Sequence, residues 1–104
     1  MGITSRTENQ GRTIFINVTE RFDFNQHAVF RKLLNDAKDG CEFVVDLTAA
    51  EYMDSSALGL LLLLRKKAGN NRVELRYVKP SAIEKVVSAS NFSRLFDCKA
   101  VSPL

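Results

Sequence analysis

The sequence predicts an α/β domain, and three observations predict it. Three short segments with strand character, Arg12–Val18, Glu42–Leu47 and Val73–Val78, are each followed by apolar residues at helical spacing. Strands alternating with helices argue parallel neighbours joined by right-handed crossovers. The chain has 104 residues, 45% hydrophobic and 26% charged, which suits a single domain, 1–104, with its own core. At one place, Tyr52-Met53-Asp54-Ser55-Ser56-Ala57-Leu58-Gly59, an acid and two serines stand between an apolar strand and a leucine-rich run. Side-chain oxygens are wanted there, because the N–H groups of a first helical turn have no partner within the helix.

The elements follow in order. The segment of about residues 1–11 is polar and reads in part as an edge strand, antiparallel to the next, with Asn9-Gln10-Gly11 as a turn. Arg12–Val18 places Ile14, Ile16 and Val18 on one face and Thr13, Phe15 and Asn17 on the other. Thr19 to Asp23 reads as a connection. Asn25 is the expected N-cap of the first helix, with Phe24 stapled onto Val29. Phe30, Leu33, Leu34 and Ala37 form the helix's apolar stripe, and Gly40 closes it as the C′ residue. His27 reads as an exposed or capping side chain in the first turn.

Phe43, Val44 and Val45 are consecutive apolars, as in a strand at the middle of a sheet. Asp46 is expected to bind neighbouring amides, since a lone buried carboxylate is costly. The second helix runs from Ser55 or Ser56 to Ala68 and stops at Gly69-Asn70-Asn71. It is apolar nearly all round, so it is sandwiched in the core or keeps a flank for a partner. Leu58, Leu61, Leu62 and Leu64 are expected inside, with one of Leu60 and Leu63 exposed. Arg65, Lys66 and Lys67 complement the dipole at its C-terminus. Val73–Val78 alternates apolar with Glu74 and Arg76. Ser81 and Glu84 form a capping box for a third helix carrying Ile83, Val86 and Val87. Asn91 ends that helix, Phe92, Leu95 and Phe96 cluster, and Lys99-Ala100-Val101 supplies a last strand.

Composition narrows the function. Fifteen basic and twelve acidic residues give a net charge of +3, with the cations scattered, which argues against nucleic-acid binding. Two isolated cysteines, Cys41 and Cys98, and a single histidine make a poor metal site and read as reduced thiols of a cytoplasmic protein. The apolar run Ala57–Leu64 is far short of the roughly twenty residues of a membrane span, so no insertion into a membrane is expected, and the N-terminus lacks a signal-peptide core.

Asp46-Leu47 followed by Met53-Asp54-Ser55-Ser56-Ala57-Leu58-Gly59 resembles the signature of the STAS domain, found in sulfate transporters and anti-sigma-factor antagonists. The family pattern reads Asp-Leu, a short spacer, an apolar residue, then Asp-Ser-Ser-Gly-Leu-Gly. The likeness in element order extends from about Arg12 to Phe96. It implies a mixed sheet of roughly four to five strands with helices mainly on one face. Near Glu20-Arg21-Phe22-Asp23 the family's Gly-x-Leu-Asp is kept only as its apolar-Asp pair. Ala57 replaces the family's glycine, arguing ordinary helical φ there and raising the expectation that it restricts which kinase approaches.

As an enzyme the chain is poorly equipped. The turn lacks the Gly-x-Ser-x-Gly elbow of hydrolases, and no triad, phosphate loop or cofactor motif is evident. The resemblance implies instead an anti-sigma-factor antagonist or a related partner-switching module. Such a module binds a GHKL-type serine kinase that is also the anti-sigma factor, is released by phosphorylation, and is restored by a PP2C-type phosphatase. Carried over, Ser55 is the phosphoacceptor, with Ser56 as the alternative. Asp23, Asp54, Ser55, Ser56, Ala57, Leu58 and Leu60 form the partner-binding set. The rival expectation is a non-phosphorylated scaffold subunit of a membrane transport complex. The apolar flank of the second helix suits either a homodimer or a foreign partner.

Overall fold

The computed structural model of the protein describes residues 2–102; Met1 of the polar N-terminal segment lies outside them, as do Pro103 and Leu104. The chain runs β1 (Ile3–Glu8), β2 (Thr13–Phe22), a 3-10 turn at Phe24–Gln26, α1 (His27–Asp36), β3 (Glu42–Met53), α2 (Ser55–Ala68), β4 (Val73–Val78), α3 (Ala82–Ala89), a second 3-10 turn at Phe92–Arg94, and β5 (Asp97–Val101). The five strands form one sheet in sequence order. β1 lies antiparallel to β2, and every later pair is parallel. The polar N-terminal segment is therefore an edge strand, and the sheet is mixed.

Alternation decides which face of the sheet is covered. Ile14, Phe43 and Val73 stand in register across β2, β3 and β4, as do Ile16, Val45 and Leu75. All are buried, in one cluster with Phe30 and Leu34 of α1, Leu61 and Leu64 of α2, and Ile83 and Val87 of α3. The helices thus cover this one face. The row on the opposite face runs Arg6, Phe15, Val44, Glu74 and Asp97. Arg6 lies 4.3 Å over the Phe15 ring. Glu74 is buried yet paired with Arg72 at 2.6 Å and with Arg76, and Arg72 also reaches Asp97 at 2.7 Å. A buried carboxylate is tolerated when paired and hydrogen-bonded in this way. The β1 edge is polar, with Thr4 to Glu8 all exposed, and the β5 edge carries Asp97 and Lys99 beside an exposed Val101.

Several local expectations are corrected. β2 does not end at Val18, and Thr19 to Asp23 is not a connection: the strand continues to Phe22. β3 likewise extends six residues past Leu47, to Met53. Each extension supplies the other's ladder partner, through two register shifts near Val18 and Glu20. Pairing between distant segments overrides the weak strand propensity of Thr48-Ala49-Ala50-Glu51. Asn25 is not the N-cap of the first helix. Gln26 holds that position with no side-chain cap bond, and Asp23 caps the preceding 3-10 turn, accepting the Asn25 amide at 3.0 Å while its own amide donates to Gln26 Oε1 at 3.0 Å. The 3-10 turn turns Phe24 outward, 68% exposed and stacked on His27, so the staple onto Val29 does not form. α1 ends at Asp36 with Ala37 extended as its cap, and Gly40, at φ +86°, serves the turn before β3 instead.

α2 begins at Ser55 and ends at Ala68, as its caps dictate. Arg65 closes its far end by donating to the Gly69 and Leu95 carbonyls, each at 2.8 Å. Leu60, Leu61 and Leu64 are inside, but Leu62 is 45% exposed and Leu63 38%. The run of leucines hid which positions face the sheet, because every register of a helix places some leucine inward. Ser81 accepts the Glu84 amide at 3.0 Å as the cap of α3. Phe92 and Phe96 pack together with ring centroids 5.0 Å apart, while Leu95 stays exposed.

Candidate functional site

The end of β3 and the start of α2 put Asp54, Ser55 and Ser56 at the C-terminal edge of the parallel strands, beside the end of β2. Asp54 is the N-cap, with extended backbone at φ −125° and ψ −175°. Its Oδ1 accepts the Ser56 amide at 3.0 Å, the Ser56 hydroxyl at 2.5 Å and the Ala57 amide at 3.4 Å. Those bonds favour the ionised carboxylate. The Ser56 hydroxyl holds the Asp54 carboxyl below its ordinary value against the opposing effect of burial, with further lowering from the Ala57 and Ser56 amides and the positive charge of Arg21.

The two serines are not equivalent. Ser56 is half-buried and its hydroxyl is committed to Asp54. Ser55 is exposed, and no hydrogen bond engages its hydroxyl among the described residues. It stands in the first turn of α2, where unpartnered N–H groups and the helix dipole favour added negative charge.

The other residues expected at a partner surface are divided by burial. Ala57 is 0% exposed and Leu60 2%. Both lie on the sheet-facing side of α2, so neither offers a side chain to a partner. Ala57 has no positive φ, and its methyl group is buried in the core. Leu58 is half-buried against the core. Asp23 is buried, and its carboxylate is engaged by the cap and by Arg21 at 3.1 Å. Asp46 binds the Thr48 amide at 2.9 Å and the Thr48 hydroxyl at 2.6 Å, a local structural role.

The sequence reading missed the surroundings of the turn. Arg21 pairs with Tyr52 across β2 and β3, and its guanidinium lies 3.9 Å over the Tyr52 ring. With Phe22 and Met53 turned inward, Arg21 and Tyr52 form the outer wall beside Asp54. Taking Thr19 to Asp23 as a loop concealed this pairing. Gly59, retained from the family pattern, suits close helix packing by its sequence, and the structure corrects that expectation. The residue lies in the interior of α2, exposed, and a methyl group built on it meets no heavy atom within 4 Å. A glycine costs a helix about 1 kcal/mol relative to alanine, and no contact within the fold accounts for it. Close packing inside the domain, the role expected for this residue, is therefore not its role.

The STAS domain model matches residues 4–102. The chain belongs to the STAS domain family. A STAS-domain containing protein of Pseudomonas aeruginosa (strain UCBPP-PA14) is 41% identical over 99 residues, covering 92% of this chain and 97% of the relative. Among solved structures, an anti-sigma factor antagonist from Mycobacterium paratuberculosis superposes with a TM-score of 0.77 at 18% identity, over 94% of this chain and 86% of that one. The anti-sigma factor antagonist SpoIIAA in its unphosphorylated form gives 0.76 at 16% identity, over 99% and 89%. A third, from Thermotoga maritima, is described as a putative anti-sigma factor antagonist and gives 0.72 at 17% identity, over 95% and 86%. At these identities the likeness is one of fold. In this STAS domain, no described helix is long and apolar enough to cross a membrane.

Proposed function

We propose that this STAS domain is a cytoplasmic, non-enzymatic regulator that binds a protein partner through the β3–α2 turn and is released by phosphorylation of Ser55. One observation carries the reading: in the signature turn, Ser55 alone combines an exposed, uncommitted hydroxyl with the N-terminus of a helix, while Ser56 is locked to Asp54 at 2.5 Å. The structural likeness to anti-sigma factor antagonists, one of them described in an unphosphorylated form, supports it. The resemblance of the motif supplies the partner class, an anti-sigma factor that is also a GHKL-type serine kinase, with a PP2C-type phosphatase to reverse the mark.

The physical effect is local. A phosphoserine adds about −1.5 to −2 charges at neutral pH. At the first turn of α2 the domain accommodates that charge without unfolding. A partner seated over the turn must desolvate it or withdraw, and every 1.4 kcal/mol lost is about a tenfold loss of affinity.

The test is phosphopeptide mapping of the protein from its own cells across growth and stress conditions. The expected result is a condition-dependent fraction phosphorylated at Ser55 and none at Ser56. Full coverage of the peptide with no phosphate in any condition would overturn the switch and favour a constitutive scaffold. In binding assays Ser55→Asp weakens the partner at least tenfold and Ser55→Ala binds permanently; equal affinities count against the reading.

A further inference from the structure

The outward face of α2 has a composition that its own fold does not explain. Ser55, Gly59, Leu62, Leu63 and Lys66 are all exposed, and their spacing places them on one stripe of the helix. The stripe lies opposite Ala57, Leu60, Leu61 and Leu64, which face the sheet. It is about 16 Å long, from the helical rise of about 1.5 Å per residue. A solvent-facing stripe is ordinarily polar, yet here its middle consists of one glycine and two leucines. Gly59 makes a notch between the head of the helix and the leucine pair, with open space where a side chain would stand.

The foot of the stripe meets a groove. Between α1 and α2 lies a cavity of about 360 Å³ lined by Leu34 and Leu63, with Arg31, Lys66 and Lys67 among its polar walls. Lys67 is held by Asp39 at 3.1 Å. Arg31 and Lys66 form no ion pair or hydrogen bond among the described residues. Apolar surface bordered by unpaired cations matches one kind of occupant.

We propose that this face seats an acidic amphipathic helix of a partner protein. A small residue of the partner crosses over Gly59, its apolar face covers Leu62 and Leu63, and its carboxylates meet Arg31 and Lys66. The proposal rests on the reading of the β3–α2 turn as a docking site and extends it along the whole outer face of α2. Charge complementarity selects the occupant. A second copy carries a net +3 and brings the same unpaired cations to the contact. Ser55 heads the same stripe, so a phosphate there stands directly beneath an acidic helix, and the repulsion is built into the docking geometry.

The test is an NMR titration of the full, unphosphorylated chain with two synthetic helical peptides of about four turns. Both carry the same Leu and Ala stripe; one has Glu on its remaining positions, the other Lys. The acidic peptide is expected to shift the amide resonances of Gly59, Leu62, Leu63 and Lys66 and to bind at least tenfold more tightly than the basic one. Gly59→Leu should weaken the acidic peptide at least tenfold while the folded spectrum persists, since position 59 has room for a side chain. The double variant Arg31→Glu, Lys66→Glu should reverse the peptide preference. Equal or undetectable binding of both peptides, shifts confined to another surface, or an unaffected Gly59→Leu variant would overturn the proposal. So would concentration-dependent shifts of the same four resonances without peptide, which would make a second copy the occupant. No phosphorylation is involved, so a negative result here is separate from a negative result at Ser55.

Discussion

Asp54 and Ser56 satisfy each other, and that mutual commitment gives Ser55 its freedom. The cap also has a measurable energy. Replacing an N-cap Asp by Ala costs about 1 kcal/mol, within a range of roughly 0.5–2, so Asp54→Ala should lower the free energy of unfolding by that amount at pH 7. The pH dependence has a definite sign. The folded-state carboxyl of Asp54 is held below its ordinary value, chiefly by the Ser56 hydroxyl. Its stabilisation is therefore complete above the unfolded value of about 3.9 and is lost as pH falls through the lowered folded value. Urea unfolding at pH 7 and at pH 3 should show the gap between wild type and Asp54→Ala narrowing at the lower pH; a constant gap would mean the charge is not what caps the helix. Ser55→Asp should leave the melting temperature unchanged or slightly raised, because an acid in the first turn contributes about 0.3–1 kcal/mol. A marked drop would indicate that loss of binding in this variant reflects unfolding. The carboxylate cap and its two serines were legible in the sequence because oxygen-bearing side chains before a leucine run have few other uses. Arg21 and Tyr52 were not legible, because what joins them is a register between two strands.

At the scale of the element, α2 turns one face into the core and leaves Leu62 and Leu63 exposed on the other. Gly59→Ala should stabilise the domain by about 0.5–1 kcal/mol, since alanine is the better helix former and a methyl group there meets nothing within 4 Å. Leu61→Ala should cost about 2–5 kcal/mol as a buried truncation, whereas Leu62→Ala should fall within about 0.5 kcal/mol of wild type as a surface change. Chemical denaturation of the three variants checks all of these, and a large loss at Leu62 would place that side chain in the core. The limits of the helix were read correctly from Asp54 and Gly69. Its inner face was not, because leucine recurs too densely for periodicity to choose among registers. Burial of Leu60 in place of Leu62 corrects that choice and, with it, the list of surface residues. The first helix failed in a different way: a 3-10 turn at Phe24–Gln26, capped by Asp23, precedes it and leaves Gln26 at its N-cap position with no side-chain bond.

At the scale of the molecule, the parallel direction of the inner strands followed from their alternation with helices, and the family resemblance supplied the one-sided helix layer; the order of the strands in the sheet came from the structure. The strand lengths did not follow, since β2 and β3 each support an extension that the other's sequence does not announce. The uncovered face of the sheet is held by Glu74, whose carboxylate joins Arg72 and Arg76, with Arg72 passing on to Asp97 of β5. Glu74→Gln keeps the volume and removes the charge, so it should lower stability by about 1.5–3 kcal/mol, the range for hydrogen bonds to charged groups. Urea unfolding measures it, and a loss below about 0.5 kcal/mol would show that the pairing only offsets its desolvation. The polar edges have a consequence of another kind. An open sheet ends in two rows of unpaired backbone groups that invite growth by addition of further strands. Here β1 ends the sheet with Thr4 to Glu8, exposed and without a large apolar side chain, and β5 ends it with Asp97 and Lys99 ahead of a single exposed Val101 at its end. Charged and polar side chains discourage neighbouring molecules from lengthening the sheet into fibrils, so the domain can expose leucines on a helix while its strands stay resistant to aggregation.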